Sequence, residues 1–566
     1  MLLGPPPARR RRAPWSLALA ALLVGAFVLR VWGVDHGMPY AYNADENAHF
    51  LTRAIGLFGH DLDPRYFVNP PAYTYLLHGV FALWFGGRRA VGDAFAADPA
   101  QLWVLARLVT AALGTLAVGL LALAGARLFD RRVGLLAAAL LAVAFLPVFY
   151  SHLALNDVPT LAPLCLALWG IAGVLRRGRA VDFAVAGLGL GLACATKYTA
   201  GIVLLCLLAA APLGPARRWG LPGLLAAGAL AVAAFVAANP YAVLDAEAFL
   251  DGLGHQSEAS GDAAGKLGLT QASGLAYYLW SLGWGLGWVP LAAAALAVAL
   301  LWRGERRALA VLVPAPVAYV LFMGLQERYF GRWLMPVLPL LALLAATGAL
   351  ALADRAGRRV PRLRPALVAL GALALLAQGL VHSVHVDRVL ARPDTRQTTR
   401  AWLVGHVPPG TRIVVEPVVP DGWAQDVGRP ERRWQKFPTS RSRIDPDTGR
   451  LLPPPGQVVN IEDFERVLRP GLVGEYERGG YCWVVVGSTQ RGRAEADPGA
   501  APGALAYYRE LERRAERVWV DSPYRPGARP VPFNFDWSFD FYPLAYARPG
   551  PLMEVFRLRG GRCGET

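Results

Sequence analysis

Apolar stretches long enough to cross a bilayer, separated by clusters of arginine, constrain this chain more than any other feature. A helix spanning the hydrocarbon core needs roughly 20 apolar residues. The first such run extends from Pro14 to Val34, and others lie near 101–126, 133–150, 155–175, 181–196, 198–214, 219–238, 275–301, 308–325, 332–353 and 364–385. The pattern predicts an all-α polytopic membrane bundle of about eleven spans. Arg9–Arg12 followed by an apolar run looks like a signal peptide, but the run is too long for one, so an uncleaved first span is expected. Of the 566 residues 55% are hydrophobic and 17% charged, which is too little charge for an ordinary soluble chain.

The net charge of +16 is a topology signal rather than a sign of nucleic acid. With the N-terminus inside, every inner loop is arginine-rich: Arg9–Arg12, then Arg127, Arg131 and Arg132, then Arg176, Arg177 and Arg179, then Arg217 and Arg218, then Arg303, Arg306 and Arg307, then 355–364. This pattern closes only if 71–86, which is short and carries His78, lies along the interface within a long first outer loop, 35–100. The outer side then receives that loop, the turn at Ser151–Asp157, the turn at Lys197, the loop 239–274 and the turn Gln326–Arg332. An odd number of spans places the C-terminal region outside.

Composition changes near Asp387, so the chain divides into a membrane region, 1–387, and a soluble extracytoplasmic region, 388–566. In the latter TRIVVEP, YCWVVVG, RVWVDS and LMEVFRL read as short strands, 504–517 reads as a helix, and Pro453–Pro455 marks a loop. A mixed α/β domain is expected. Cys165, Cys194 and Cys206 fall in apolar runs. Cys482 and Cys563 are able to pair, although their spacing does not require it, and no Cys-x-x-Cys occurs.

Four outer segments carry groups that suit chemistry. Asp45 and Glu46 follow the first span directly. Asp157, in Asn156-Asp157-Val158-Pro159, stands at an apolar boundary, where an ionisable group is costly and often functional. It also fits a helix start, with Asp capping and Pro in the first turn. Lys197, and Arg328 with Arg332, are outer cations that run against the positive-inside trend; they fit either snorkelling or a phosphate contact. Carboxylates to accept a proton and cations to stabilise a leaving phosphate suit one reaction: transfer of a sugar from a polyprenyl phosphate carrier. A nucleotide-sugar donor needs a cytoplasmic domain, and no inner loop is long enough to form one.

In order along 14–385, the Asp45-Glu46 stretch, Asn156 to Pro159, Ala-Thr-Lys-Tyr-Thr and Arg328-Tyr329 to Pro336 resemble the GT-C glycosyltransferases. The likeness is to the protein O-mannosyltransferase and aminoarabinose transferase-like group, glycosyltransferase family 39 and its bacterial relatives. The resemblance implies a helical bundle with interfacial helices in the first outer loop. It implies a polyprenyl phosphate donor, a catalytic base at Asp45 with Glu46 beside it, support of base or acceptor from Asp157, and donor phosphate contacts from Lys197 and Arg328; Arg332, read above as an outer cation, is the further phosphate candidate. Relatives often carry His or Lys before the Pro-Pro of the first loop, where this chain has Val68-Asn69-Pro70-Pro71. Some relatives bind a divalent metal between outer loops; the outer histidines His49, His152 and His255 are the candidates for the metal or acceptor vicinity.

The expected protein is thus a membrane glycosyltransferase acting outside, with inversion, on a protein, lipid or glycan acceptor. A lipid-linked glycan flippase is the alternative, and it predicts ionisable residues lining a path through the spans. These spans are nearly bare of charge.

Overall fold

The computed structural model describes residues 13–59, 61–215, 220–260, 273–302, 304–429, 431–440, 443–444, 451–452, 459–460, 464–534 and 542–563. Arg9–Arg12, Arg217, Arg218, Arg303 and the expected loop at Pro453–Pro455 lie outside the described residues. The chain is a mostly helical, multi-pass membrane protein with a small C-terminal sheet. Seven helical segments among the described residues are long and apolar enough to cross a membrane: Pro14–Val31, Ala100–Leu128, Gly220–Ala238, Gly274–Leu301, Arg306–Gly324, Gly331–Arg359 and Pro361–His406. The other expected spans are helical but shorter or broken. The 133–150 segment divides at Ala144 into Arg131–Val143 and Phe145–Tyr150, and 155–175 starts its helix only at Leu161.

Small residues set the packing around the shorter helices. Gly187 and Gly191, one turn apart on Ala180–Thr196, press against the backbone at Ala227 and Ala231 of Gly220–Ala238. Gly189, on the opposite face, meets Ala167 of Leu161–Arg176. A methyl group at any of the three would strike a neighbouring backbone, which is the close approach that small residues permit between membrane helices. The helix ends at Lys197, whose φ of −154° is extended, and the chain resumes as a 3-10 turn, Tyr198–Val203. Asn156 and Asn239 donate to the carbonyls of Thr196 and Ala195 at 2.7 and 3.2 Å. These bonds satisfy part of the helix end and fix where Lys197 emerges.

Within the first outer loop the expected interfacial element is the helix Ala72–Phe85. It buries Tyr73, Leu77 and Phe81 and leaves Leu76, Leu83 and Trp84 exposed, as a helix lying between protein and lipid would.

The four expected strands form one sheet with a fifth, Gln435–Lys436. Its order is Gln435–Lys436, Arg412–Val415, Trp483–Gly487, Met553–Leu558, Ala515–Asp521; the first two pairings are parallel and the last two antiparallel. Alternate residues serve opposite faces. Val414, Val484, Val486 and Phe556 pack under Tyr476, Tyr507 and Leu511. Ile413, Val415, Val485 and Val555 pack against Leu403, Trp423 and Trp434. The sheet is therefore buried on both sides. Cys482, at the edge of this core, is disulfide-bonded to Cys563.

One carboxylate lies inside the C-terminal core. Glu416 is 1% exposed and accepts from the Gly487 N–H at 3.0 Å and the Tyr508 hydroxyl at 2.9 Å. Burial pushes it up from 4.5 to about 8, against those two bonds. The unfolded chain ionises this group near 4.5, whereas the folded chain holds it protonated up to about 8. Its contribution to stability is therefore complete below 4.5 and is lost as pH rises through 8. Melting of the purified protein between pH 5 and pH 8 should show a downward slope that Glu416→Gln flattens; an unchanged slope in the variant would place the titration elsewhere.

Candidate active site

The short helix Ala44–Ala48 organises the site. Asn43 caps it, its side chain accepting from the Glu46 N–H at 3.0 Å. Successive residues on a helix diverge by about 100°, so the adjacent carboxylates separate. Asp45 is 39% exposed and takes Arg332 at 2.5 Å, with His49 at 3.7 Å on its other oxygen. Arg332 in turn lies 3.9 Å from Asp157, which pairs with Lys197. Side chains from four segments distant in sequence thus form one line: His49, Asp45, Arg332, Asp157, Lys197.

Two supports hold this line. Arg332 stacks on Phe330, 4.3 Å from the ring centre. The 3-10 helix Gly331–Val337, which carries Arg332, is tied by the Tyr319 hydroxyl donating to the Trp333 carbonyl at 2.6 Å. Arg328 is half-buried, 5.8 Å from the Phe330 ring centre. Burial lowers the tendency of His49 to protonate; the Asp45 carboxylate opposes this, and the Arg53 and Arg332 charges add to it.

Several expectations are corrected by the geometry. Glu46 is fully buried and does not face the open site. Its two oxygens accept from Arg107 at 2.7 and 2.8 Å, and one also accepts from the Ala154 N–H at 2.8 Å. It joins the first outer loop to the loop that bears Asp157. Asp157 does not cap a helix either: the helix begins at Leu161 after Thr160, and the carboxylate turns to Lys197 instead. His152 is buried, with its ring nitrogens at 2.9 and 3.1 Å from the Val148 and Trp32 carbonyls and Asp387 at 3.5 Å. His255 is exposed on Ala246–Ser260. No three His, Cys, Asp or Glu side chains among the described residues converge as a metal site, and His152, buried with a backbone carbonyl beside each ring nitrogen, does not fit the role of ligand.

Arg107 was not among the sequence candidates. The signal was present: a cation inside the apolar run LWVLARLVTAA must find a buried partner or a set of carbonyls.

Beside this line the C-terminal region rests on the first outer loop. Gln397 donates to the Met38 carbonyl at 2.5 Å and Arg396 lies 3.8 Å over the Tyr42 ring. A small cleft of about 90 Å³ opens between them, lined by Asn43, Ala44 and Asn47 on one side and by Thr489, Gln490 and Arg396 on the other. Ala44 and Asn47 belong to the helix that carries Asp45.

Comparison with known proteins agrees with this architecture. Residues 101–241 match the family described as dolichyl-phosphate-mannose-protein mannosyltransferase. ArnT from Cupriavidus metallidurans bound to undecaprenyl phosphate is similar, with 14% identity, a TM-score of 0.50, and coverage of 86% of this chain and 95% of that one. The oligosaccharyltransferase of Archaeoglobus fulgidus in its apo form has 13% identity, a TM-score of 0.51, and coverage of 91% of this chain and 74% of that one. The same enzyme tethered to an acceptor peptide has a TM-score of 0.53 at 13% identity, covering 91% of this chain and 73% of that one. No curated protein matches the chain in sequence. The fold is that of the GT-C membrane glycosyltransferases.

Proposed function

We propose that this protein transfers a sugar from a polyprenyl phosphate-linked donor to an acceptor on the extracytoplasmic side, with inversion at the sugar carbon. The observation that carries the reading is Asp45, an open carboxylate held beside Arg332, Asp157 and Lys197. ArnT, which shares the fold, is described as bound to undecaprenyl phosphate. Asp45 takes the proton of the acceptor nucleophile as its oxygen or nitrogen bonds to the sugar carbon. The bond from that carbon to the phosphate oxygen breaks, its electron pair stays on the phosphate, and the cations stabilise the charge released. Lys197 and Arg332 act on the leaving phosphate, Asp157 holds both in place, and Arg328 flanks them. Glu46 positions the loop.

A small cleft beneath the C-terminal region lies on a different face of the helix that carries the base. That cleft opens on Asn47, on the same helix as the base, and the amide oxygen of Gln490, which also lines it, is buried without a hydrogen-bond partner among the described residues. Purified protein given a panel of radiolabelled polyprenyl phosphate sugars should release free polyprenyl phosphate from one of them. Failure to bind any member would sink the reading.

The outward orientation of the C-terminal region has its own test. A Cys482–Cys563 disulfide fits an oxidising compartment. On intact cells treated with an impermeant reductant, an impermeant maleimide should label Cys563; labelling only after the membrane is opened would reverse the topology.

A further inference from the structure

Arg53 stands one side chain beyond the line described above. The left-handed backbone at Arg65, with φ of 47°, delivers Tyr66 to the site, and Asn69 props it by donating to its hydroxyl at 2.9 Å. The His49 ring stacks on Tyr66 with centroids 5.3 Å apart and planes 11° apart. The Arg53 guanidinium lies 3.8 Å from the same ring's centre. At that distance the cation lies over the ring, in reach of its face. Its Nε is shielded from solvent and has no hydrogen-bond partner among the described residues. No carboxylate among those residues pairs with it. Asp45 and Asp157, by contrast, already answer Arg332 and Lys197. Arg53 therefore brings an uncompensated positive charge to within one aromatic ring of His49 and, through it, Asp45.

We infer that Arg53, held over Tyr66, is a ligand of the donor phosphate and prefers the phosphate released over the sugar-linked form. This rests on the donor reading above. A sugar-linked phosphodiester carries one negative charge, and the monoester left after transfer gains a second. A cation with no local counter-ion favours that gain, whereas a cation already paired gives up part of its attraction to its carboxylate. The alternative is a purely structural cation–π clamp that orders the loop.

The test measures binding of undecaprenyl phosphate and of undecaprenol, its uncharged counterpart, to the detergent-purified full chain. Arg53→Gln should weaken undecaprenyl phosphate binding by about tenfold or more and leave undecaprenol binding unchanged. Arg53→Lys, which keeps the charge without the planar fork, should recover part of the loss. Melting of each variant, read alongside, shows whether the loop still folds. Equal binding of undecaprenyl phosphate by wild type and Arg53→Gln would overturn the inference and leave the donor reading standing. Equal losses for both lipids would make Arg53 a structural clamp and overturn it too. Wild type that binds undecaprenyl phosphate no better than undecaprenol would remove the donor reading and this inference together.

Discussion

An Asp45→Asn protein should transfer sugar about 10²- to 10⁴-fold more slowly than wild type while binding the donor at least as well. Asparagine has nearly the same shape, so the capped helix Ala44–Ala48 survives. What is lost is the group able to accept the acceptor's proton. Binding holds because the substitution removes a negative charge 2.5 Å from Arg332, which leaves that cation freer to meet a phosphate. A residue serving only to hold Arg332 in place would give the opposite split, with weaker donor binding and a smaller loss of rate. His49 is the competing base, since its Nε2 lies 3.7 Å from Asp45 and burial favours its neutral ring. His49→Gln should therefore cost little beside Asp45→Asn. Full activity in Asp45→Asn would move the proton transfer to another group.

That the candidate groups from separate segments would gather in one place was legible in the chain, because apolar runs and arginine clusters mark where the spans end and which ends share a side. Roles within the site were less so. Asp45 and Glu46 read as a pair because they are adjacent, but the helix turn sends one to the open site and the other to Arg107. Asp157 and Lys197 are 40 residues apart and looked like separate contributors; only the packing of the glycine-lined helix Ala180–Thr196 sets them together. His152 read as an outer residue because it lies between apolar runs. Yet the helix Phe145–Tyr150 and the end of Arg364–Leu390 close over it, and a backbone carbonyl lies beside each ring nitrogen. The placing of Arg53 over Tyr66 depends on a turn at Arg65 that no linear pattern announces. The four strands of the C-terminal sheet were readable because each is a short β-branched or aromatic run bounded by turns, while their order in the sheet was not.

Removing the Arg107 side chain should be among the most damaging single changes to the fold. In Arg107→Ala the Glu46 carboxylate, fully buried, keeps the Ala154 N–H but loses both guanidinium bonds. The Val34 and His36 carbonyls, at 2.8 and 2.9 Å, lose their donor as well. An uncompensated buried charge of this kind costs about 3–5 kcal/mol, so the melting temperature in detergent should fall sharply. Replacing both partners by apolar side chains, Glu46→Leu with Arg107→Met, should recover much of that loss because no charge is then left stranded. Activity should not return with stability. Glu46 is the link between the helix carrying Asp45 and the Ala154 backbone three residues before Asp157, and an apolar pair supplies no such directional tie. The double variant should melt between Arg107→Ala and wild type, since the Val34 and His36 carbonyls and the Ala154 N–H stay unpaired, and still transfer slowly, with a lowered kcat and little change in donor binding. If it recovered both, the ion pair would serve stability alone. An Arg107→Ala protein as stable as wild type would mean that Glu46 had found water or another cation.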